Sequence, residues 1–288
     1  MKKLIYVASA TFMLCMASAC NNIGSNRASS EGVADSVSVE EEDDTVLAFS
    51  TVEKDESVDV DKGHATVHLK CAYAVKGKKV LKDSINAFLE QLLIYDEGEK
   101  ALCVEGGDIR KKLLNFVDSL IASNEKDLKG EIEAMIEFAE PGEDLDMVNY
   151  EDELDVYVAY ENSDYVTLFV SNYMYRNGAH GMSTTYGVTF SKEDGHICGN
   201  ELLKNYSKAE LQSLMLKGLQ EHFGEGDDEA SVAELAEFTF IETKDLKGNI
   251  PMPSMAAFLL KDGVHLIYQQ YEIAPYAAGK PEIVVPLR

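Results

Sequence analysis

Apolar residues in this chain keep a helical period between residues 81 and 139, then switch to a period of two from residue 154 onward. A 3.6-residue stripe buries one side of a helix, whereas strict alternation buries one face of a strand, so the switch restricts the chain to a few architectures. Leu81, Ile85, Phe88, Leu89 and Leu92 form a first stripe. Ile109, Leu113, Phe116, Val117, Leu120 and Ile121 form a second, which Asp108 can cap. A third, shorter helix is predicted over 129–139, stopping before Pro141-Gly142. A strand over 64–73 precedes them. Beyond the switch, strands are predicted over 154–160, 165–175 and 182–190, the last reached through the Asn177-Gly178 turn signal. Strands over 256–260 and 264–271 flank Lys261-Asp262-Gly263, and 282–287 is the last. Two capping boxes, Ser207 with Glu210 and Ser231 with Glu234, open helices between these groups. Helices followed by hairpins, without a βαβ rhythm, predict an α+β fold: an N-terminal strand-plus-helices subdomain (62–155), then an antiparallel sheet with a helical insertion (156–288).

Residues 1–61 fall outside that pattern. Lys2 and Lys3 precede an uncharged, apolar stretch over 4–16, and small residues Ala17-Ser18-Ala19 lead to Cys20. A membrane-spanning helix needs about 20 apolar residues, and this stretch is shorter and crowded with Ser, Thr and Ala. The pattern resembles the lipobox of bacterial lipoproteins, which makes 1–19 a signal peptide and Cys20 the lipidated N-terminus. A plain secretory signal ahead of a coincidental cysteine is the alternative. The tract 20–61 is rich in Ser, Asn and acids with few aromatics, and is expected to be a disordered, acidic tether. The expected address is the cell envelope, on a lipid anchor. Asn21 is not an aspartate retention signal, which favours the outer membrane.

Charge narrows the partners. The formal net charge is −25, and removing Lys2 and Lys3 with the leader takes it to −27. No basic residue lies between Lys129 and Arg176, while 131–164 carries thirteen Asp and Glu. Such a field excludes nucleic acid as a partner and speeds encounter with a cationic one, although solubility alone also accounts for it. After Cys15 and Cys20, the cysteines left are Cys71, Cys103 and Cys198. An odd number leaves one thiol free, and both Cys71–Cys103 pairing and buried free thiols remain open. With no Cys-x-x-Cys, no metal site or cofactor is expected.

Catalytic motifs are missing. His64 and His68 share one face of the predicted strand but stand about 13 Å apart along it, too far to share a metal. Gly181-Met182-Ser183-Thr184-Thr185 lacks the second glycine of a nucleophile elbow. No carboxylate pair stands out, so the chain reads as a non-enzyme. Two segments look specified beyond packing. Residues 173–181, YMYRNGAHG, present His180 on a turn between Gly178 and Gly181, with Tyr175 just before it. Residues 268–279, YQQYEIAPYAAG, place Tyr271 and Tyr276 around a proline and small residues. Tyrosine-rich loops make recognition surfaces at low entropic cost. The plainer reading is that both loops only close the sheet. The candidate contact residues are His180, Tyr175, Tyr271 and Tyr276.

These segments resemble the RsiV-like domain family, the extracytoplasmic domain shared by the anti-sigma factor RsiV and the peptidoglycan deacetylase PdaC. That family's Gly-Ala-His-Gly turn reads here as Gly178-Ala179-His180-Gly181. Its tyrosine loop reads as Tyr271-Glu272-Ile273-Ala274-Pro275-Tyr276-Ala277-Ala278-Gly279. The likeness covers 165–288, with 62–155 similar to the companion domain. No sigma-binding segment or membrane span is found before Cys20, and no deacetylase domain follows. The resemblance implies a binding module held on lipid, with lysozyme, a strongly basic protein, or peptidoglycan fragments as the ligand. The alternatives are an envelope-glycan enzyme using His180 as base, and a purely structural envelope lipoprotein.

Overall fold

The computed structural model describes residues 46–96, 101–102, 107–140, 145–224 and 228–288. Strands β1 (Ala48–Val60) and β2 (Gly63–Lys76) form an antiparallel hairpin turned at Asp61, whose φ is 47°. Helix α1 (Lys79–Leu92), the two-residue strands β3 (Tyr95–Asp96) and β4 (Ala101–Leu102), and helix α2 (Ile109–Phe138) follow. Strands β5 (Val148–Glu161), β6 (Tyr165–Arg176) and β7 (Met182–Ser191) form a meander ending in the short β8 (Ile197–Cys198). After a 3-10 turn (Asn200–Leu203) come α3 (Lys208–Phe223), α4 (Val232–Phe238), β9 (Phe258–Leu259), β10 (Val264–Ile267) and β11 (Glu282–Val285). The main sheet has the order β1-β2-β5-β6-β7-β8, and β11-β10-β9 form a second sheet. The α+β class is as expected, and both capping boxes close reciprocally.

The structure corrects several expectations. The acidic tether does not reach residue 61, because 48–60 is strand. Composition misled here: β1 buries little beyond Val52, and its backbone is held by β2, with acids left on an exposed edge. The second and third helices are one, since Asn124 takes a place in the stripe and donates to Asp152 Oδ2 at 2.7 Å. One pair in the main sheet, β2 with β5, is parallel, because α1 and α2 supply a crossover between them. The expected boundary at 155/156 falls inside β5, and the described residues from 46 onward form one compact unit. The strand expected over 264–271 ends at Ile267, and Tyr271 lies in a turn with φ 64°. The leader 1–19, Cys20, the tether to residue 45, and Cys103 lie outside the described residues.

Helices α1 and α2 cover one face of the main sheet. Leu81, Ile85, Leu89, Leu113 and Val117 pack there on Leu69, Val156, Leu168 and Phe190. Each such side chain, fully buried, contributes about 1.5–3 kcal/mol. A second core joins α3 to the small sheet through Met215, Leu219, Leu266, Tyr268 and Ile283. The small sheet docks on the other face of the main sheet, at its β7 end. Leu259 N–H donates to Thr189 Oγ1 at 2.8 Å, and Thr167 Oγ1 donates to the Leu259 carbonyl at 2.7 Å. Phe258 fits only because residue 187 is glycine: a Cβ there would lie 2.1 Å from the ring. The remainder of that face is open. Among the described residues no helix is long and apolar enough to cross a membrane.

Candidate binding surface

The link between β6 and β7 is built from its backbone outward. Asn177 adopts φ 48°, a conformation asparagine tolerates, and its N–H donates to the Asn149 carbonyl at 3.0 Å. Its side-chain oxygen accepts from Asn149 N–H at 3.3 Å, so the turn is tied to the end of β5. Tyr175 braces the turn by donating its hydroxyl to the Gly178 carbonyl at 3.0 Å. Of the two glycines, Gly181 is the one demanded by contact, because a Cβ there would stand 2.3 Å from the Tyr173 ring. Neither has a positive φ.

The tyrosine loop is anchored from the opposite side. Tyr268 is fully buried and donates to the Pro251 carbonyl at 2.5 Å. Two glutamines then occupy the edge of β7 beyond the reach of β8. Gln270 Oε1 accepts from Ser183 N–H at 3.0 Å. Gln269 accepts from Thr185 N–H at 3.0 Å and donates to the Thr185 carbonyl at 2.9 Å. These side chains act as a surrogate strand, which blunts an exposed edge and fixes the loop to the sheet. Lys280 Nζ donates to Ser183 Oγ at 2.9 Å, and burial lowers the affinity of that amine for its proton.

Between the two segments His180, Tyr271 and Tyr276 meet. The His180 and Tyr276 rings stack with centroids 3.7 Å apart, and Tyr271 and Tyr276 lie at 5.8 Å. His180 Nδ1 is 3.1 Å from the Gly181 carbonyl, which can only accept, so Nδ1 carries the hydrogen. The neutral ring then offers Nε2 as acceptor to the Tyr271 hydroxyl at 3.0 Å. His180 is exposed and Tyr271 is 48 % exposed, so the cluster presents its ring faces and edges to solvent. Tyr173 borders it. Its hydroxyl is harder to ionise than usual, first from burial and then from Glu151 and Tyr276.

The open face of the main sheet continues from this cluster. Antiparallel partners share a face, as do registered parallel partners. Register therefore aligns Asp55, His68, Glu153, Tyr173 and Ser183 in one row across five strands. The neighbouring row carries Glu53, Lys70, Asp155, Ser171 and Thr185. His68 Nδ1 lies 2.6 Å from Asp55, which raises its affinity for a proton, and its Nε2 lies 3.4 Å from Asp155. The carboxyl of Glu153 is raised above its ordinary value by burial and then by Glu151 beside it. Glu151 and Glu153 thus sit close together next to the tyrosines, a concentration of negative charge that the linear sequence only hinted at.

Of the residues singled out in the sequence, the structure brings His180, Tyr271 and Tyr276 into direct contact, and Tyr175 supports the turn. The sequence does not single out Gln269 and Gln270, which look like ordinary loop residues until their edge position is known. Cys71 and Cys198 are free and buried, and burial pushes their thiols up to about 12 and about 11. His64 and His68 face separate carboxylates, Asp59 and Asp55. Among the described residues His196, Cys198 and Glu201 gather ligand atoms within 4.8 Å of one another.

Comparison with known proteins agrees with this fold. No curated protein matches the chain. A crystal structure of a DUF3298 family member from Bacteroides fragilis NCTC 9343 superposes with TM-score 0.64 at 20% identity, covering 85% of this chain and 92% of that one. A DUF3298 family protein from Pseudomonas aeruginosa PAO1 gives TM-score 0.49 at 15% identity, covering 84% and 92%. Residues 200–288, which hold the tyrosine loop but not the histidine turn, match the family model described as "Protein of unknown function (DUF3298)".

Proposed function

We propose that this chain is a lipid-anchored binding module of the bacterial envelope, which holds a basic protein of the lysozyme type on the open face of its main sheet. The supporting observation is the continuity of Glu151 and Glu153 with the exposed His180–Tyr271–Tyr276 cluster. Acidic strands steer a cationic partner at long range, and stacked aromatic side chains supply contact area once it docks. The RsiV-like resemblance points to the same partner class, and a lipidated Cys20 would keep the module at the membrane. Along β7 the sheet edge is already occupied by glutamine side chains, which blocks strand addition there.

Calorimetric titration with lysozyme at about 20 and about 150 mM salt tests this reading, since screening shortens to about 8 Å at the higher value. Micromolar or tighter binding that weakens with salt is expected, and Glu151→Lys with Glu153→Lys should lose at least about tenfold, or 1.4 kcal/mol. Affinity no better than millimolar at low salt would remove the lysozyme assignment. A parallel titration with soluble peptidoglycan fragments separates a basic protein from a cell-wall ligand.

A further inference from the structure

We propose that His196, Cys198 and Glu201 form a zinc site at the corner between β7 and β8, a site independent of the partner surface. His196 Nε2 lies 3.4 Å from Cys198 Sγ and 3.8 Å from Glu201 Oε1. Tetrahedral zinc with bonds of about 2.0–2.3 Å holds its donors about 3.3–3.7 Å apart. The two distances to His196 are already close to those of a loaded site.

The surroundings orient these donors. Asp194 Oδ1 takes the other ring nitrogen, Nδ1, at 2.7 Å and also accepts the His196 backbone N–H at 3.2 Å. A carboxylate on Nδ1 sets the tautomer, so Nε2 presents its lone pair toward the thiol and Glu201. This is the carboxylate–histidine arrangement that supports metal ligands. The backbone holds the corner rigidly. Ser191 N–H donates to the His196 carbonyl at 2.9 Å, Gly195 turns with φ 76°, and Cys198 is registered opposite Thr189. Cys198 is 4 % exposed, while His196 and Glu201 are exposed. The thiol therefore forms the floor and the metal would enter from solvent. Imidazole, thiolate and carboxylate together suit zinc better than calcium or magnesium, and three protein donors leave a fourth position for water. Binding displaces the thiol proton to solvent.

Cobalt(II) titration of the reduced full chain, followed by zinc competition, tests the site. Expected are a thiolate-to-cobalt charge-transfer band and tetrahedral visible bands, saturating near one equivalent and abolished by stoichiometric zinc. Cys198→Ser should lose the charge-transfer band, and Asp194→Asn should weaken binding about 10–100-fold. If Cys198→Ser does not fold, His196→Ala at an exposed position decides: its bands should vanish with the far-ultraviolet spectrum unchanged. Wild-type protein lacking thiolate charge transfer at micromolar cobalt would overturn the proposal, as would bands that persist in His196→Ala. Zinc should also raise the wild-type melting temperature but not that of His196→Ala.

Discussion

The imidazole Nε2 of His180 lies 3.0 Å from the hydroxyl of Tyr271, a residue 91 positions later in the chain. Two loops from different ends of the C-terminal half therefore act as one surface. Tyr276, stacked on the same imidazole, makes it a three-ring unit.

If that unit is a contact surface, its hydrogen bond and its ring area can be separated. Tyr271→Phe deletes the hydroxyl alone, and it should lower partner affinity by less than about fivefold, or about 1 kcal/mol. His180→Ala removes a ring from the stack and should cost more than about tenfold in affinity. Stability should fall by only about 1 kcal/mol, near 2–4 °C in melting temperature for a chain of this size. Calorimetry beside thermal melts reads both quantities. A large melting loss with affinity intact would assign the cluster to structure instead.

A second prediction concerns the inward side of β5. Asp152 is 6 % exposed and its carboxylate is shared by Arg176 Nη2 and Asn124 Nδ2, each at 2.7 Å. Arg176 also lies over the Tyr150 ring at 5.0 Å. Asp152→Ala withdraws the acceptor of buried Asn124 and the counter-charge of half-buried Arg176, which should cost about 3 kcal/mol. Asp152→Asn keeps an acceptor and should cost clearly less. Denaturant unfolding with an unchanged m-value would measure the difference, and equal losses in the two variants would contradict the pairing argument.

The seam between the two sheets supplies a third. Gly187→Ala places a methyl 2.1 Å from Phe258, in the middle of the packed interface. Overpacking of this kind costs about 1–3 kcal/mol. Phe258→Leu alone also destabilises by opening a gap. Together the two changes should cost less than their sum, because the smaller side chain makes room for the methyl. Additive losses in a double-mutant cycle would mean that the seam does not depend on this contact.

Periodicity made the helices and the β5–β7 meander legible because each buries one face, and capping boxes are local chemistry that a sequence displays directly. Strand β1 was not legible: only Val52 of its residues is deeply buried, so its stability comes from backbone pairing that composition does not encode. The single long α2 was masked by Asn124, a polar residue inside an apolar stripe whose partner Asp152 is distant in sequence. At the surface, glycines and tyrosines identified the two loops. The acidic rows and the glutamine brace needed the strand register, which is a property of pairing and not of any one segment.

Register also explains the last prediction, on pH. His265 on β10 is 4 % exposed and lies between two carboxylates: Nδ1 is 2.6 Å from Glu282 on β11 and Nε2 is 2.9 Å from Asp262 in the turn before β10. Both ring nitrogens face carboxylate oxygens, which only accept, so the bound form is the imidazolium. Burial works against that charge. The hydrogen bonds that the ring donates to Glu282 and Asp262 outweigh it, and the folded protein holds the proton more tightly than the ordinary value of 6.5. The ring of Phe258, 5.5 Å away and nearly parallel, offers a face to the cation. A group whose affinity for a proton rises on folding stabilises the fold fully below its unfolded value, and loses that contribution as pH climbs through the folded value. His68, raised chiefly by its hydrogen bond to Asp55, adds a contribution of the same sign. Melting temperature should therefore decline as pH rises from about 6 to about 9. Asp262, held below its ordinary value first by its bond to His265, acts at the opposite end and loses its contribution as pH falls below 3.8. In His265→Gln the side chain is uncharged at every pH, and the neutral-to-alkaline decline should shrink to the part His68 supplies. Parallel slopes in wild type and variant over that range would show that the buried imidazole is neutral in the fold.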